Sequence, residues 1–275
     1  MHSVALLQPH LTVIIASIML DRLFHLWINR EADFDRRARA QVYFDSGGVC
    51  HQRIKAIVPE TLPDMRVRMP LTNSRPELAI FTSHLEAIAA ALHAGSPALV
   101  MEDDVRSHHV FDAVALLASA PPDWEILQLH VSNAQVVAEL GELYLRHGVL
   151  WYEWEPPCFS AGAYVINPRG AERILREYRP APPDVDLSGV HAYGKLVADH
   201  LLYRRTRTYC TTIPFYYSDM DFASTHAVHR DSTWHQPGLA STLRVMQSVA
   251  TNAETSGKTY PYSVRKIATA GMRYA

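Results

Sequence analysis

The stretch Thr82–Val105, TSHLEAIAAALHAGSPALVMEDDV, decides how the rest of the chain is read. Ser83 followed three residues later by Glu86 has the form of a helix-capping box, in which each side chain satisfies the other's free backbone N–H. Leu85, Ile88, Ala89 and Leu92 then recur at helical spacing until Gly95, a residue type that tolerates the left-handed turn at a helix end. A helix is therefore expected from Ser83 to Gly95. ALVMEDDV (98–105) follows at once, an apolar strand running into Glu102, Asp103 and Asp104. Helix then buried strand is the repeating unit of an α/β sheet.

Working outward, the same alternation extends in both directions. LFHLWIN (23–29) and IKAIVP (54–59) read as strands, and EADFDRRARAQVYFDSGG (31–48) as a helix ended by Gly47 and Gly48. The prolines between Glu60 and Pro76 argue for a long loop. Residues 110–118 read as helix, WEILQLH (124–130) as strand, and AYVINPRGAERILREY (163–178) as strand, turn and helix. Lys195–Arg205 reads as helix and TYCTTIPF (208–215) as strand, whereas 131–157 shows no clear period.

With 275 residues and 48% hydrophobic side chains, one large domain or two small ones can bury a core. A net charge of −2 supplies no basic face for nucleic acid. Cys50, Cys158 and Cys210 form no CxxC pair, and an odd number cannot complete a disulfide framework, so a cytoplasmic, reducing location is expected. The longest apolar run, LTVIIASIML (11–20), is shorter than the roughly 20 residues that span a bilayer and lacks a basic flank upstream, so residues 1–22 are expected to be a leader.

Three adjacent carboxylates at a strand end repel one another and resist desolvation, which calls for a cation or strong donors. In an open α/β sheet, ligands gather beyond the carboxyl ends of the strands. Hard oxygen ligands suit Mg²⁺ or Mn²⁺, which commonly take one or two carboxylates together with phosphate oxygens. The acids thus point to a divalent metal and a diphosphate ligand, and equally permit a solvated acidic turn.

The same stretch resembles the signature of the family 25 glycosyltransferases, which include lipooligosaccharide and collagen galactosyltransferases. LWINREADFDRRARAQ (26–41), FSAGAYVINPRGAERIL (159–175) and VADHLLY (197–203) resemble further segments of that family in the same order. The resemblance implies an α/β fold of GT-A type, a Rossmann-like mixed sheet flanked by helices, with a nucleotide-sugar half (23–130), an acceptor half (131–235) and a C-terminal tail (236–275). It implies inverting transfer of a hexose, galactose first, from a UDP-sugar with Mn²⁺ or Mg²⁺ to a hydroxyl of a glycan or glycolipid acceptor such as lipooligosaccharide. The rival readings are a metal-dependent phosphoesterase and a carbohydrate-binding module without activity.

On that reading Asp104 and Glu102 are metal ligands, completed by His226 or His229, which are spaced i, i+3. Glu102 and Asp103 also face the donor, as does His84 from its expected place in a helix's first turn, where the helix dipole favours an anion. Arg36 contacts the diphosphate or, with Arg37, pairs with Asp33 and Asp35. Asp199 is the candidate base for the acceptor hydroxyl, since a carboxylate near the reaction centre commonly serves. Gly162 and Tyr164 are placed where a sugar approaches, and Trp151, Tyr152 and Trp154 are candidates to stack on one. Lys258, Arg265, Lys266 and Arg273 suggest contact with an anionic membrane surface.

Overall fold

The computed structural model describes residues 23–46, 48–67, 74–107, 113–190, 197–219 and 235–256. Strands β1 (Phe24–Asn29), β2 (His51–Lys55), β4 (Ala98–Glu102), β6 (Ile126–Gln128), β7 (Trp151–Glu153), β8 (Ala163–Ile166) and β10 (Thr208–Thr211) form one seven-stranded sheet. Its order is β2-β1-β4-β8-β6-β10-β7. β1 runs parallel to β2 and β4, and β6 parallel to β10, while β8 and β7 run antiparallel to their neighbours. The expected mixed α/β sheet is therefore what forms. Two small ribbons lie apart from it, β3 (Met65–Arg66) with β9 (Val185–Asp186), and β5 (Val105–Ser107) with β11 (Tyr216–Ser218).

Side-chain alternation along each strand divides the core between the two faces. Leu99 and Met101 of β4 and Ala163 and Val165 of β8 face one cluster, whereas Ala98, Val100, Tyr164 and Ile166 face the other. The first cluster is covered by α1 (Phe34–Ser46), α3 (Ala113–Ala118), α4 (Ala134–His147) and α7 (His235–Ser256), through residues such as Phe44, Leu116, Leu140 and Val245. The second is covered by α2 (Arg75–Ala94), α5 (Pro168–Tyr178) and α6 (Ala198–Tyr203), through Phe81, Ile88, Ile174 and Leu202.

Three expectations are corrected. The helix expected from Ser83 starts at Arg75, because the working capping box is Ser74 with Glu77: the Glu77 carboxylate accepts from Ser74 N at 2.8 Å. Pro76 is accommodated in the first turn, where the missing N–H would have had no partner. Ser83 is instead an interior residue whose hydroxyl donates to Ala79 O at 2.7 Å and accepts from Ile57 N at 2.8 Å. Glu86 pairs with Arg179 at 2.7 Å. The region without clear period contains α4, capped by the Asn133 side chain on Gln135 N and Val136 N. The stretch assigned to a tail contains most of α7, which packs across α4 so closely that a methyl group on Gly141 would lie 2.6 Å from Val245.

No helix among the described residues is long and apolar enough to cross a membrane. The expected leader and the basic residues after 257 lie outside the described residues.

Candidate functional site

β4 is parallel to β1 on one side and antiparallel to β8 on the other, so the sheet changes direction at the strand that carries the acids. The three carboxylates have different partners, although Asp103 and Asp104 share Arg36 Nη1. Asp103 is buried, its Oδ2 accepting from Asn29 Nδ2 at 2.6 Å and its Oδ1 from Arg36 Nη1 at 2.8 Å. Asn29 ends β1 and Arg36 lies in the first turn of α1, so Asp103 ties the two elements flanking β4 to the acidic turn. Arg36 also reaches Asp104 Oδ2 at 3.3 Å. It thus pairs with Asp103 and Asp104, more than 60 residues distant, with Asp33 of its own segment adding a further charge, while Arg37 pairs with Glu31 at 2.9 Å.

Glu102 and Asp104 retain side-chain exposures of 37% and 28%, against 7% for Asp103. Although part of each side chain meets solvent, the surrounding protein desolvates both carboxyl groups, and this, followed by the charge of Glu102, pushes the Asp104 carboxyl up to about 7 in spite of Arg36. Burial also raises Asp103, against the pull of Arg36 and Asn29. For Glu102, burial is outweighed by the hydrogen bond and charge of His84 and by His130 and Arg36, which hold it below the ordinary carboxylate range. Two partly accessible carboxylates with opposed shifts, two residues apart at one strand end, make a place where added positive charge relieves repulsion.

His84 is 1% exposed, its Nε2 3.4 Å from Glu102 Oε1 and its Nδ1 3.2 Å from the Tyr164 hydroxyl. It lies ten residues into α2, so the helix-terminus argument for anion binding there fails: the dipole effect is confined to the end turns. Its place is behind Glu102. Tyr164 is fully buried and supports His84, so it does not present a face to a sugar.

Ser160 and His130 were not singled out from sequence, and both belong to this centre. Ser160 has φ 128°, a conformation that strains a residue with a Cβ. Its N–H donates to Asp199 Oδ2 at 2.8 Å, and its Oγ lies 2.8 Å from His130 Nδ1 and accepts from Gly162 N at 2.9 Å. Its carbonyl accepts from Gln128 Nε2 at 2.8 Å and from the Tyr203 hydroxyl at 3.0 Å. Gly162 is a glycine because an added methyl group would lie 2.6 Å from His130 Nδ1. The sequence clue was a Gly at the start of a buried strand, which commonly marks close approach.

Asp199, in the first turn of α6, is buried, and its Oδ1 accepts from His200 N at 2.8 Å. Burial raises its carboxyl, against the backbone N–H of Ser160 and the charge of His200, and Glu102 adds to the rise. Both oxygens thus already accept a backbone N–H, and each keeps a second lone pair. Trp151 is buried with its indole N–H on Ser119 Oγ at 3.0 Å, and Trp154 donates to Cys158 O at 3.0 Å, so these rings anchor the core edge.

His226 and His229 lie outside the described residues; Asp219, the last described residue before them, donates its N–H to Asp104 O at 2.6 Å. Among the described residues no group of three or more His, Cys, Asp and Glu side chains is arranged to hold a metal ion. A cation at this end of β4 would have only Glu102 and Asp104 to take and would complete its shell with ligand oxygens, as Mg²⁺ and Mn²⁺ commonly do at phosphate sites. Asp103 is the least suited of the three, since it is buried and its charge is already balanced by Arg36 and Asn29.

No protein-family model and no curated protein matches the chain. Solved structures similar to it include the STIV protein A197, at a TM-score of 0.37 and 12% identity over 69% of this chain and 81% of that one. A Drosophila β-1,4-galactosyltransferase 7 mutant in complex with manganese, UDP-Gal and xylobiose has a TM-score of 0.37 and 9% identity over 77% of this chain and 76% of that one. A glycosyltransferase involved in the glycosylation of the major capsid of PBCV-1 has a TM-score of 0.33 and 9% identity over 80% of this chain and 98% of that one. Likenesses this loose leave the chemistry to be argued from the site's own residues.

Proposed function

We propose that the protein is a metal-dependent glycosyltransferase of GT-A type, related to family 25, that transfers a hexose from a UDP-sugar to a hydroxyl of a glycan or glycolipid, with inversion. The observation that carries this reading is the pair of partly accessible carboxylates, Glu102 and Asp104, at the carboxyl end of β4, beside an Asp103 locked by Asn29 and Arg36. A divalent cation held by Glu102 and Asp104 would offset charge on the departing diphosphate.

The chain's own residues account for the rest. Arg36 keeps the acidic turn in register, and His84, backed by Tyr164, orients the Glu102 carboxylate. Asp199 is the base in this scheme. Burial raises its carboxyl, which makes it a better proton acceptor than an exposed aspartate, and the Ser160 and His200 N–H groups fix its two oxygens. Galactose as the sugar and lipooligosaccharide as the acceptor rest on the family resemblance, a cytoplasmic location on the three unpatterned cysteines, and a place at the membrane surface on the basic residues after 257.

The test is calorimetric titration with UDP and UDP-galactose, with and without Mn²⁺. Binding should require Mn²⁺ and weaken at least about tenfold in Asp104→Ala, the loss of one ligand from a small cation shell. Asp199→Asn should keep donor binding and lose about 100-fold or more in transfer rate. UDP binding that ignores both Mn²⁺ and Asp104→Ala would remove the reading.

A further inference from the structure

The Sγ atoms of Cys158 and Cys210 lie 3.6 Å apart in a buried setting, though the two residues are 52 positions apart in sequence. Neither is bridged, and Cys50, the third cysteine, is exposed. Cys210 is central in β10, paired to Gln128 of β6 on one side and Tyr152 of β7 on the other, so its backbone is fixed. Cys158 lies in the connection between β7 and β8, where its carbonyl accepts from Gln128 Nε2 at 2.9 Å and Trp154 Nε1 at 3.0 Å. Two residues on is Ser160, which the same Gln128 amide holds at 2.8 Å. We infer that Cys158 and Cys210 are an oxidative modification site, a dithiol that a peroxide converts to a disulfide, tying the segment that positions Ser160 and Asp199 to β10.

The chemistry needs a small two-electron oxidant, because both thiols are buried, and hydrogen peroxide is close to water in size. The Cys158 sulfur attacks one peroxide oxygen, the O–O bond breaks, and the sulfenic acid of Cys158 forms with release of one water. The Cys210 sulfur then attacks the Cys158 sulfur, the S–O bond breaks, and the leaving hydroxide takes the Cys210 proton as a second water. Two thiols and one peroxide thus yield one disulfide and two waters. The order of attack follows from the hydrogen bond that Cys210 donates to Cys158: it holds the Cys158 thiol below its ordinary range, whereas burial and the same bond hold Cys210 well above. Closing from 3.6 Å to the roughly 2.05 Å of an S–S bond is a movement of about 1.5 Å. With Cys210 held in the sheet, that movement falls on Cys158 and the chain leading to Ser160.

The experiment uses the full chain carrying Cys50→Ser, treated with hydrogen peroxide, quenched, denatured and alkylated. Intact mass should show loss of two hydrogens and no alkylation, and both should reverse after reduction with dithiothreitol. Amide exchange in the peptides spanning 155–162 should slow in the oxidised protein. With Cys210→Ser added, the bridge should vanish and Cys158 should take up oxygen instead. Two alkylatable thiols after peroxide, or oxygen uptake on Cys158 with Cys210 present, would overturn the inference. So would a bridge that leaves exchange at 155–162 unchanged. None of these outcomes depends on sugar transfer.

Discussion

Arg36 should be the costliest single residue to remove from the acidic turn. Its guanidinium is 8% exposed and lies 2.8 Å from Asp103 and 3.3 Å from Asp104. At an effective dielectric near 20 each contact is worth about 5 kcal/mol in Coulomb energy. Much of that is offset by the desolvation of all three groups, so removing one partner from such a buried set costs about 3–5 kcal/mol. Arg36→Gln should accordingly lower the midpoint of thermal unfolding by about 6–20 °C, taking roughly 2–4 °C per kcal/mol for a chain of this size. The substitution leaves Glu102, Asp103 and Asp104 without their guanidinium, so millimolar Mn²⁺ should raise the midpoint more in the variant than in the parent protein. Differential scanning calorimetry at pH 7.5, with and without Mn²⁺, measures both quantities. A loss under about 1 kcal/mol, the range of exposed ion pairs, would refute the claim that Arg36 balances the carboxylates. An equal Mn²⁺ effect in both proteins would refute the claim that the crowding is what a cation relieves.

Three further perturbations test other parts of the structure. Burial, opposed by a hydrogen bond to Leu23 O, brings His25 from 6.5 down to about 4. The unfolded chain therefore binds this proton first, and its contribution, on the order of 3 kcal/mol, should be complete above pH 6.5 and lost as pH falls toward 4. Urea melts should show that slope in the parent protein and a shallower one in His25→Gln; equal slopes would disprove it. Gly162→Ala should cost about 1–3 kcal/mol by pressing a methyl group to 2.6 Å from His130 Nδ1, and unchanged stability would mean that the His130 ring yields without penalty. Glu125, 1% exposed, holds the half-exposed Arg169 and Arg173 and the Arg207 N–H, and Glu125→Leu should cost about 1–3 kcal/mol, chiefly by leaving the Arg207 N–H without its acceptor, since both arginines can turn to water. A urea melt indistinguishable from the parent's would show that this N–H finds another acceptor.

What the sequence revealed of the site followed from local chemistry, and what it concealed was long-range. An apolar run ending in three acids identifies a strand end wherever the strand sits, so Glu102, Asp103 and Asp104 were legible. That Asp103 is the buried one while its neighbours stay partly accessible depends on Asn29 and Arg36, which β1 and α1 bring in from 74 and 67 residues away. The helix start was misread because Ser83 and Glu86 have the spacing of a capping box, while the true one at Ser74 is followed by Pro76, which looks like a breaker unless it falls in a first turn. For α4 the signals were present, Asn133 at one end and Gly148 at the other, and only the mixed aromatic and acidic stretch beyond obscured them.

Ser160 could not be read locally at all, since nothing in FSAG announces a φ of 128°. Holding a residue with a Cβ there costs about 1–3 kcal/mol. Five hydrogen bonds converge on it, to Asp199, His130, Gly162, Gln128 and Tyr203, and at about 0.5–1.5 kcal/mol net for each they exceed that strain. Those bonds come from β6 and His130 just beyond it, the connection into β8, and α6, which meet only when the sheet is assembled. The strained conformation is therefore a property of the completed sheet. Loss of Gln128 or Tyr203 should release Ser160 and, with it, the N–H that fixes Asp199, although neither side chain bonds to that carboxylate.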